Sequence, residues 1–244
     1  MKSSVTITLG ASLFAVLLAA YLIAYATTVR DPVEWKDGDL IVQNVKLADT
    51  LQLFAADGSG VTHIGMVAVG EGGAVVIESV KGVVETPVRE FLARGKGAAY
   101  AVYRIEALTE QQRKDVVAAA RRQVGKPSDY FFRKSWDQLY SSELVRLAYT
   151  DIGFDLGRLV KIGKVGDLNM MRSQFVRAWT GNDDCRRRNL DMNQCWTMLT
   201  KQEVITPASI VADAHVTKVY ELKAPDNTVT LTSVSSSQGK DNSP

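Results

Sequence analysis

Apolar and polar positions divide the chain into three stretches. From Val5 to Thr28 no charged residue occurs, and Leu13 to Ala24 is almost entirely aliphatic. At about 1.5 Å of rise per residue, such a run is long enough to cross a hydrocarbon layer of roughly 30 Å. It predicts an N-terminal apolar helix over residues 1–30, acting as an uncleaved membrane anchor or as a signal peptide. Ala24-Tyr25-Ala26 has the small-x-small pattern of a cleavage site. Either role exports the rest of the chain, to the periplasm or another extracytoplasmic face. Asp31-Pro32 stops the segment, because proline lacks the N–H a helix needs and disfavours helix in the residue before it. Residues 31–223 mix apolar and polar positions as one globular domain does. The end, 224–244, is dense in Ser, Thr and Asn and predicts a disordered polar tail.

Within the domain the periodicity predicts alternating short elements. Asp37-Gly38-Asp39 is a turn leading into a strand, Leu40 to Gln43. A short helix is expected between Val45 and Phe54. Val61 to Val69 and Ala74 to Val80 read as two strands joined by Gly70-Glu71-Gly72-Gly73, and a third strand, Gly82 to Val88, comes next. A helix turn around Arg89 to Arg94 precedes a β-branched and aromatic strand from Ala98 to Ile105. Thr109 with Gln112 is a capping-box signature for a helix to Gln123, with Val116, Val117, Ala120 and Val124 on one face. Another helix opens near Ser141 and ends at Gly153. Pro207 to Ala214 suggests a helix turn and His215 to Leu222 a last strand. The fold class is α+β, an antiparallel sheet packed against helices.

Composition narrows this little. Of 244 residues, 46% are hydrophobic and 23% charged, as in an ordinary folded domain. The 29 basic and 27 acidic residues leave a net charge of +2, which excludes an electrostatic claim on nucleic acid. The two cysteines, Cys185 and Cys195, stand ten apart in a segment that reads as a polar loop. In an exported chain a disulfide is the first reading, worth about 2–3 kcal/mol on the chain-entropy account. No second Cys or His lies at finger spacing, so no metal site is expected, and no cofactor is implied. Arg186-Arg187-Arg188 reads as a solvated loop face.

The candidate chemistry begins at the hairpin. A symmetric turn pairs residues whose numbers sum alike, so Gly65 faces Glu78 and His63 lies diagonal to it on the same face. Diagonal neighbours are roughly 7–8 Å apart by backbone, within reach of an imidazole and a carboxylate. A carboxylate on one ring nitrogen leaves the other free as a base. Taken locally, plainer roles compete: a structural histidine, an edge-strand charge at Glu78, and an N-cap at Ser141.

The order of pieces along the chain changes that balance. Gly38-Asp39-Leu40, Thr62-His63-Ile64-Gly65-Met66, Ile77-Glu78, Gly125-Lys126-Pro127-Ser128-Asp129 and Tyr140-Ser141-Ser142-Glu143 succeed one another, with a looser echo at Pro207-Ala208 and Asp213-Ala214. This succession resembles the permuted papain-like amidases of the NlpC clan, the YiiX/YaeF-like group. There a strand S/T-H-x-G-M, a strand ending in Glu, a GKPYD segment and a helix opening YCSE appear in the same order. The resemblance implies a circularly permuted papain-like fold. It implies a thiol hydrolase in which the helix-start residue attacks an amide or ester carbonyl, the strand histidine moves the proton and a carboxylate orients the ring. By position Ser141 matches the nucleophile, His63 the base and Glu78 the orienter. Tyr140 is a weaker candidate for shaping the substrate pocket.

Two departures stand out: Ser141 where the family has cysteine, and Ser128 where it has tyrosine. A hydroxyl ionises far less readily than a thiol, so three readings remain: an engineered inactivation, a natural pseudoenzyme, and a working serine hydrolase. The expected substrate is a peptide, lipid or other amide-containing component of the cell envelope. The alternative is a catalytically dead binding module or an anchored subunit of an envelope assembly.

Overall fold

The structure, a computed structural model, describes residues 33–45, 54, 59–133 and 135–224. The expected apolar helix over 1–30, most of the expected helix between Val45 and Phe54, and the polar tail lie outside them. The chain divides into two units, Met1–Trp35 and Lys36–Pro244, and the second holds all the elements named below.

Strand β1 (Leu40–Gln43) is followed by β2 (His63–Gly70), β3 (Gly73–Ser79) and β4 (Val83–Pro87). A short helix, α1 (Val88–Ala93), leads to β5 (Tyr100–Arg104), then to helices α2 (Glu110–Arg121) and α3 (Ser141–Thr150). The remainder runs β6 (Val160–Lys161), α4 (Leu168–Ala178), α5 (Asp183–Arg187), α6 (Met192–Lys201), β7 (Glu203–Val204), α7 (Pro207–Val211) and β8 (Thr217–Leu222). The main sheet has the order β4-β3-β2-β1-β5-β8 and every pairing in it is antiparallel. This is the α+β architecture expected.

Side-chain parity sorts the sheet into two faces. Ile64, Met66 and Ile77 lie on one, in a single core with Val116, Val117 and Ala120 of α2 and Leu144, Val145 and Ala148 of α3. Helices α2 and α3 pack on each other and on β2. Thr109 caps α2 with its hydroxyl on the Gln112 N–H, and Gln112 reaches back, the reciprocal bond that satisfies two donors a helix start leaves open. Val124 does not extend the buried stripe as expected. The helix has ended at Arg121, and Val124 is 45% exposed.

The segment read as a polar loop is two helices. Asn182 caps α5 through the N–H groups of Asp184 and Cys185, and Asp191 with Gln194 forms a second capping box at α6. Their polarity is that of caps and exposed faces, not of a loop. Cys185 and Cys195 are buried, one on each helix, and form a disulfide with Cα atoms 5.5 Å apart. Two of the three consecutive arginines are paired, Arg186 with Asp183 and Arg187 with Asp184, in exposed contacts worth little. Among the described residues no helix is long and apolar enough to cross a membrane.

Candidate active site

The hairpin has the register the symmetric turn predicts, with Met66 opposite Ile77 and Gly70 opposite Gly73. His63, Gly65 and Glu78 therefore share the face opposite the core under α3. His63 Nε2 and Glu78 Oε2 are 2.6 Å apart, with both side chains buried. Glycine at 65 makes the contact geometrically feasible. A Cβ there would collide with Val76 Cγ1 and touch Glu78 Cβ at 3.5 Å, so a side chain would force Val76 to shift beside the carboxylate. The reading of Glu78 as an edge-strand charge is overturned: β3 is interior, and the residue is fully buried.

Three partners that the strand pattern did not reveal complete this arrangement. Arg94, directly after α1, donates through Nη2 to Glu78 Oε1, the oxygen His63 leaves open. Phe91 of α1 stacks on the imidazole with ring centroids 5.6 Å apart and planes 28° apart. Gln43, opposite His63 across β1 and β2, donates through Nε2 to the Phe91 carbonyl at 2.9 Å, which ties α1 to the sheet. Burial alone pushes the Glu78 carboxyl up. The hydrogen bond and charge of His63, a hydrogen bond from Thr86 and the Arg94 charge outweigh it and hold the group below its ordinary value. An ionised Glu78 fixes the proton of a neutral His63 on Nε2, and Nδ1 then carries the lone pair.

Ser141 is the first residue of α3, and Tyr140 is its N-cap. The cap role considered for Ser141 is thus not observed. The residue is 6% exposed, and its hydroxyl makes no hydrogen bond to another described side chain, His63 included. The helix start is nevertheless anchored beside Glu78. Ser79 Oγ donates to the Leu139 carbonyl at 2.6 Å, two residues before Ser141. Helix α3 packs on the opposite face of the sheet from His63 and Glu78. The structure joins His63 to Glu78 and brings Ser141 to the same end of the sheet, without a bond between them.

Tyr140 is buried, with its ring against Phe54 and Phe132. Its hydroxyl accepts from the Ile205 N–H at 3.0 Å. It also lines a cavity of about 730 Å³ with Phe132, Trp136, Leu147, Leu159 and Ile205. Glu143, in the first turn of α3, borders the same space. Burial and then the charge of Asp129 push its carboxyl up to about 8, against a hydrogen bond from the Tyr140 N–H and the charge of Lys126. Burial likewise raises Asp129 to about 6, against hydrogen bonds from the N–H groups of Phe131 and Arg133.

Ser128, the second departure from the family pattern, is a junction. Its hydroxyl accepts from the Gly82 N–H at 2.9 Å, and its single proton is shared between Ser79 Oγ at 2.9 Å and the Val80 carbonyl at 3.0 Å. It fastens the segment before α3 to the end of β3.

Comparison with known proteins places the chain among relatives. A protein of Escherichia coli (strain K12) described as uncharacterized protein YiiX is 31% identical over 127 residues, which is 51% of this chain and 63% of that protein. The match thus spans less than two thirds of the relative's length. In fold, the chain is similar to the crystal structure of YiiX from Escherichia coli O157:H7, described as a metalloprotein. The TM-score is 0.66 at 24% identity, covering 78% of this chain and 99% of that one. Residues 34–220 match the family described as permuted papain-like amidase enzyme, YaeF/YiiX, C92 family. A chain matched over that length belongs to the permuted papain-like amidases.

Proposed function

We propose that this protein is an exported, cell-envelope hydrolase scaffold of the amidase type. His63 is the base, Glu78 its orienter, and Ser141 stands at the nucleophile's position. The observation that carries this is the buried 2.6 Å contact between His63 and Glu78. In the reaction such a site performs, the group at 141 adds to an amide or ester carbonyl while His63 Nδ1 takes its proton. The proton then passes to the leaving amine or alcohol as its bond to carbon breaks, and water releases the acyl group by the same exchange. With serine at 141 the proton must leave a hydroxyl, and turnover is slow or absent. With cysteine, the N-terminus of α3 and the imidazolium would both favour the thiolate.

The substrate class is a peptide, lipid or other amide-bearing envelope component, reached through the N-terminal segment at a membrane. Tyr140, in the cavity wall, is a substrate-shaping residue in this reading. The name of the structural relative raises a metal. Among the described residues no group of three or more His, Cys, Asp and Glu side chains is placed to hold one, and His63 commits Nε2 to Glu78. The donor set does not fit a metal, and no step is routed through one.

The test is Ser141→Cys, with the disulfide cysteines retained as an internal control. Its thiol should alkylate faster near pH 6 than a free cysteine peptide, and His63→Ala should abolish the difference. A thiol no more reactive than the peptide would refute the poised site. A second reading, an inactive binding module, is favoured by one observation: Ser141 and His63 are not hydrogen-bonded, while the aromatic-lined cavity lies beside the helix start. That reading gains if Ser141→Cys is inert. Reporter fusions placed after Lys36 test export; activity only in the cytoplasm would overturn it.

A further inference from the structure

The proton-moving pair has a third member. Glu78 is a single carboxylate held from two sides: Oε2 by His63 Nε2 and Oε1 by Arg94 Nη2. Arg94 also lies over the Phe91 ring, its guanidinium carbon 5.4 Å from the centroid, and Phe91 in turn stacks on His63. Imidazole, carboxylate, guanidinium and phenyl ring therefore form a closed circuit, with each member touching two others. Gln43 fastens the Phe91 backbone to β1 and holds the circuit to the sheet.

We propose that Arg94 is a positioning residue that sets how tightly His63 holds a second ring proton. A carboxylate bonded to histidine alone gives its whole charge to the imidazolium, and such a ring gives up its proton reluctantly. Sharing that charge with a guanidinium leaves His63 a better proton donor to a departing group, and the bond from Arg94 fixes the plane in which Glu78 meets the ring. Among the described residues the charged groups facing the pair are few. β3 supplies Glu78 and the end of α1 supplies Arg94, while β1 brings only the neutral Gln43 and β4 the Thr86 hydroxyl. The Arg94 side chain is 34% exposed, so solvent screens its charge, and the effect is a fraction of what a fully buried cation would exert.

This inference rests on the reading of His63 as the base, but its test needs no turnover, so the two can fail separately. The chain has only two histidines, His63 and His215. His215 is exposed and bonded to Asp213, which makes it a control remote from Arg94 in sequence and partners. NMR titration of the ring protons in the full-length protein tracks both at once. Arg94→Met should move the His63 midpoint to higher pH by about 0.5–1 unit, a three- to tenfold change in proton affinity, and leave His215 in place. Arg94→Gln, which can still donate to Glu78 without a charge, should do nearly the same, and Arg94→Lys should bring the midpoint most of the way back to that of the parent. A His63 midpoint that moves by less than about 0.2 unit in both uncharged variants would overturn the proposal. So would a Lys variant that shifts as far as Met. Should Arg94→Met fail to fold, the contrast between Gln and Lys decides alone.

Discussion

Glu143 should make the protein less stable as pH rises, and replacing it with glutamine should remove that trend. Its carboxyl lies in the first turn of α3, where one oxygen is buried without a partner. The folded-state value of about 8 stands above the ordinary 4.5, chiefly because burial penalises the anion. Between those two values the folded protein keeps a proton that the unfolded chain has lost. Stability therefore falls across that window and stays low above it. At about 1.4 kcal/mol per pH unit, a displacement of this size corresponds to roughly 3–5 kcal/mol when fully expressed. The competing effect is the helix dipole, which favours a carboxylate in the first turn by about 0.3–1 kcal/mol and so loses to desolvation. Glu143→Gln keeps an acceptor for the Tyr140 N–H and carries no proton to lose. It leaves one amide N–H group poorly partnered, at a cost of about 1 kcal/mol. The variant should thus match or slightly trail the parent at pH 5 and exceed it by about 1–3 kcal/mol at pH 9. Urea unfolding at pH 5, 7 and 9 measures this directly. A stability difference that does not change with pH, or a glutamine variant weaker at pH 9, would refute the argument.

Other expectations are simpler. Glu78, held below its ordinary value, contributes stability that is present above about pH 4.5 and lost as pH falls through the lowered value. Glu78→Gln should flatten that acid limb in thermal melts, and an unchanged limb would count against the pairing. Gly65→Ala should cost about 1–3 kcal/mol or prevent folding, because its Cβ would collide with Val76 Cγ1; a melt within a degree or two of the parent would show that the strands yield freely. Ser128→Ala removes the partner of the buried Gly82 N–H and should cost about 1–3 kcal/mol, read by denaturant titration. Non-reducing peptide mapping should recover Cys185 linked to Cys195, and reduction should lower stability by about 2–3 kcal/mol.

How far the chain can be read in advance depends on the range of the forces involved. The hairpin register was legible because a turn of four small or polar residues admits one symmetric pairing, and period two then places His63 beside Glu78. Caps were legible where a side chain bonds within three residues, as Thr109 and Gln112 do. The same signature is present at Asp191 and Gln194, but the surrounding arginines and asparagines mask it, and a segment with the composition of a loop folds as two helices. Arg94 was beyond reach for another reason. It meets Glu78 across sixteen residues and a change from strand to helix, and nothing local distinguishes it from Arg89 five positions earlier. Only the turn that α1 makes over the sheet selects one arginine over the other. Ser128 teaches the converse. Against the family pattern it looks like a loss, since tyrosine usually stands there. Yet its hydroxyl accepts from the Gly82 N–H and lies 3.0 Å from the Val80 carbonyl, at the end of the strand that carries Glu78. The departure at 128 is thus absorbed into packing that holds the helix start in place. The departure at 141 has no such partner among the described side chains, and that contrast locates the question of activity at the Ser141 hydroxyl.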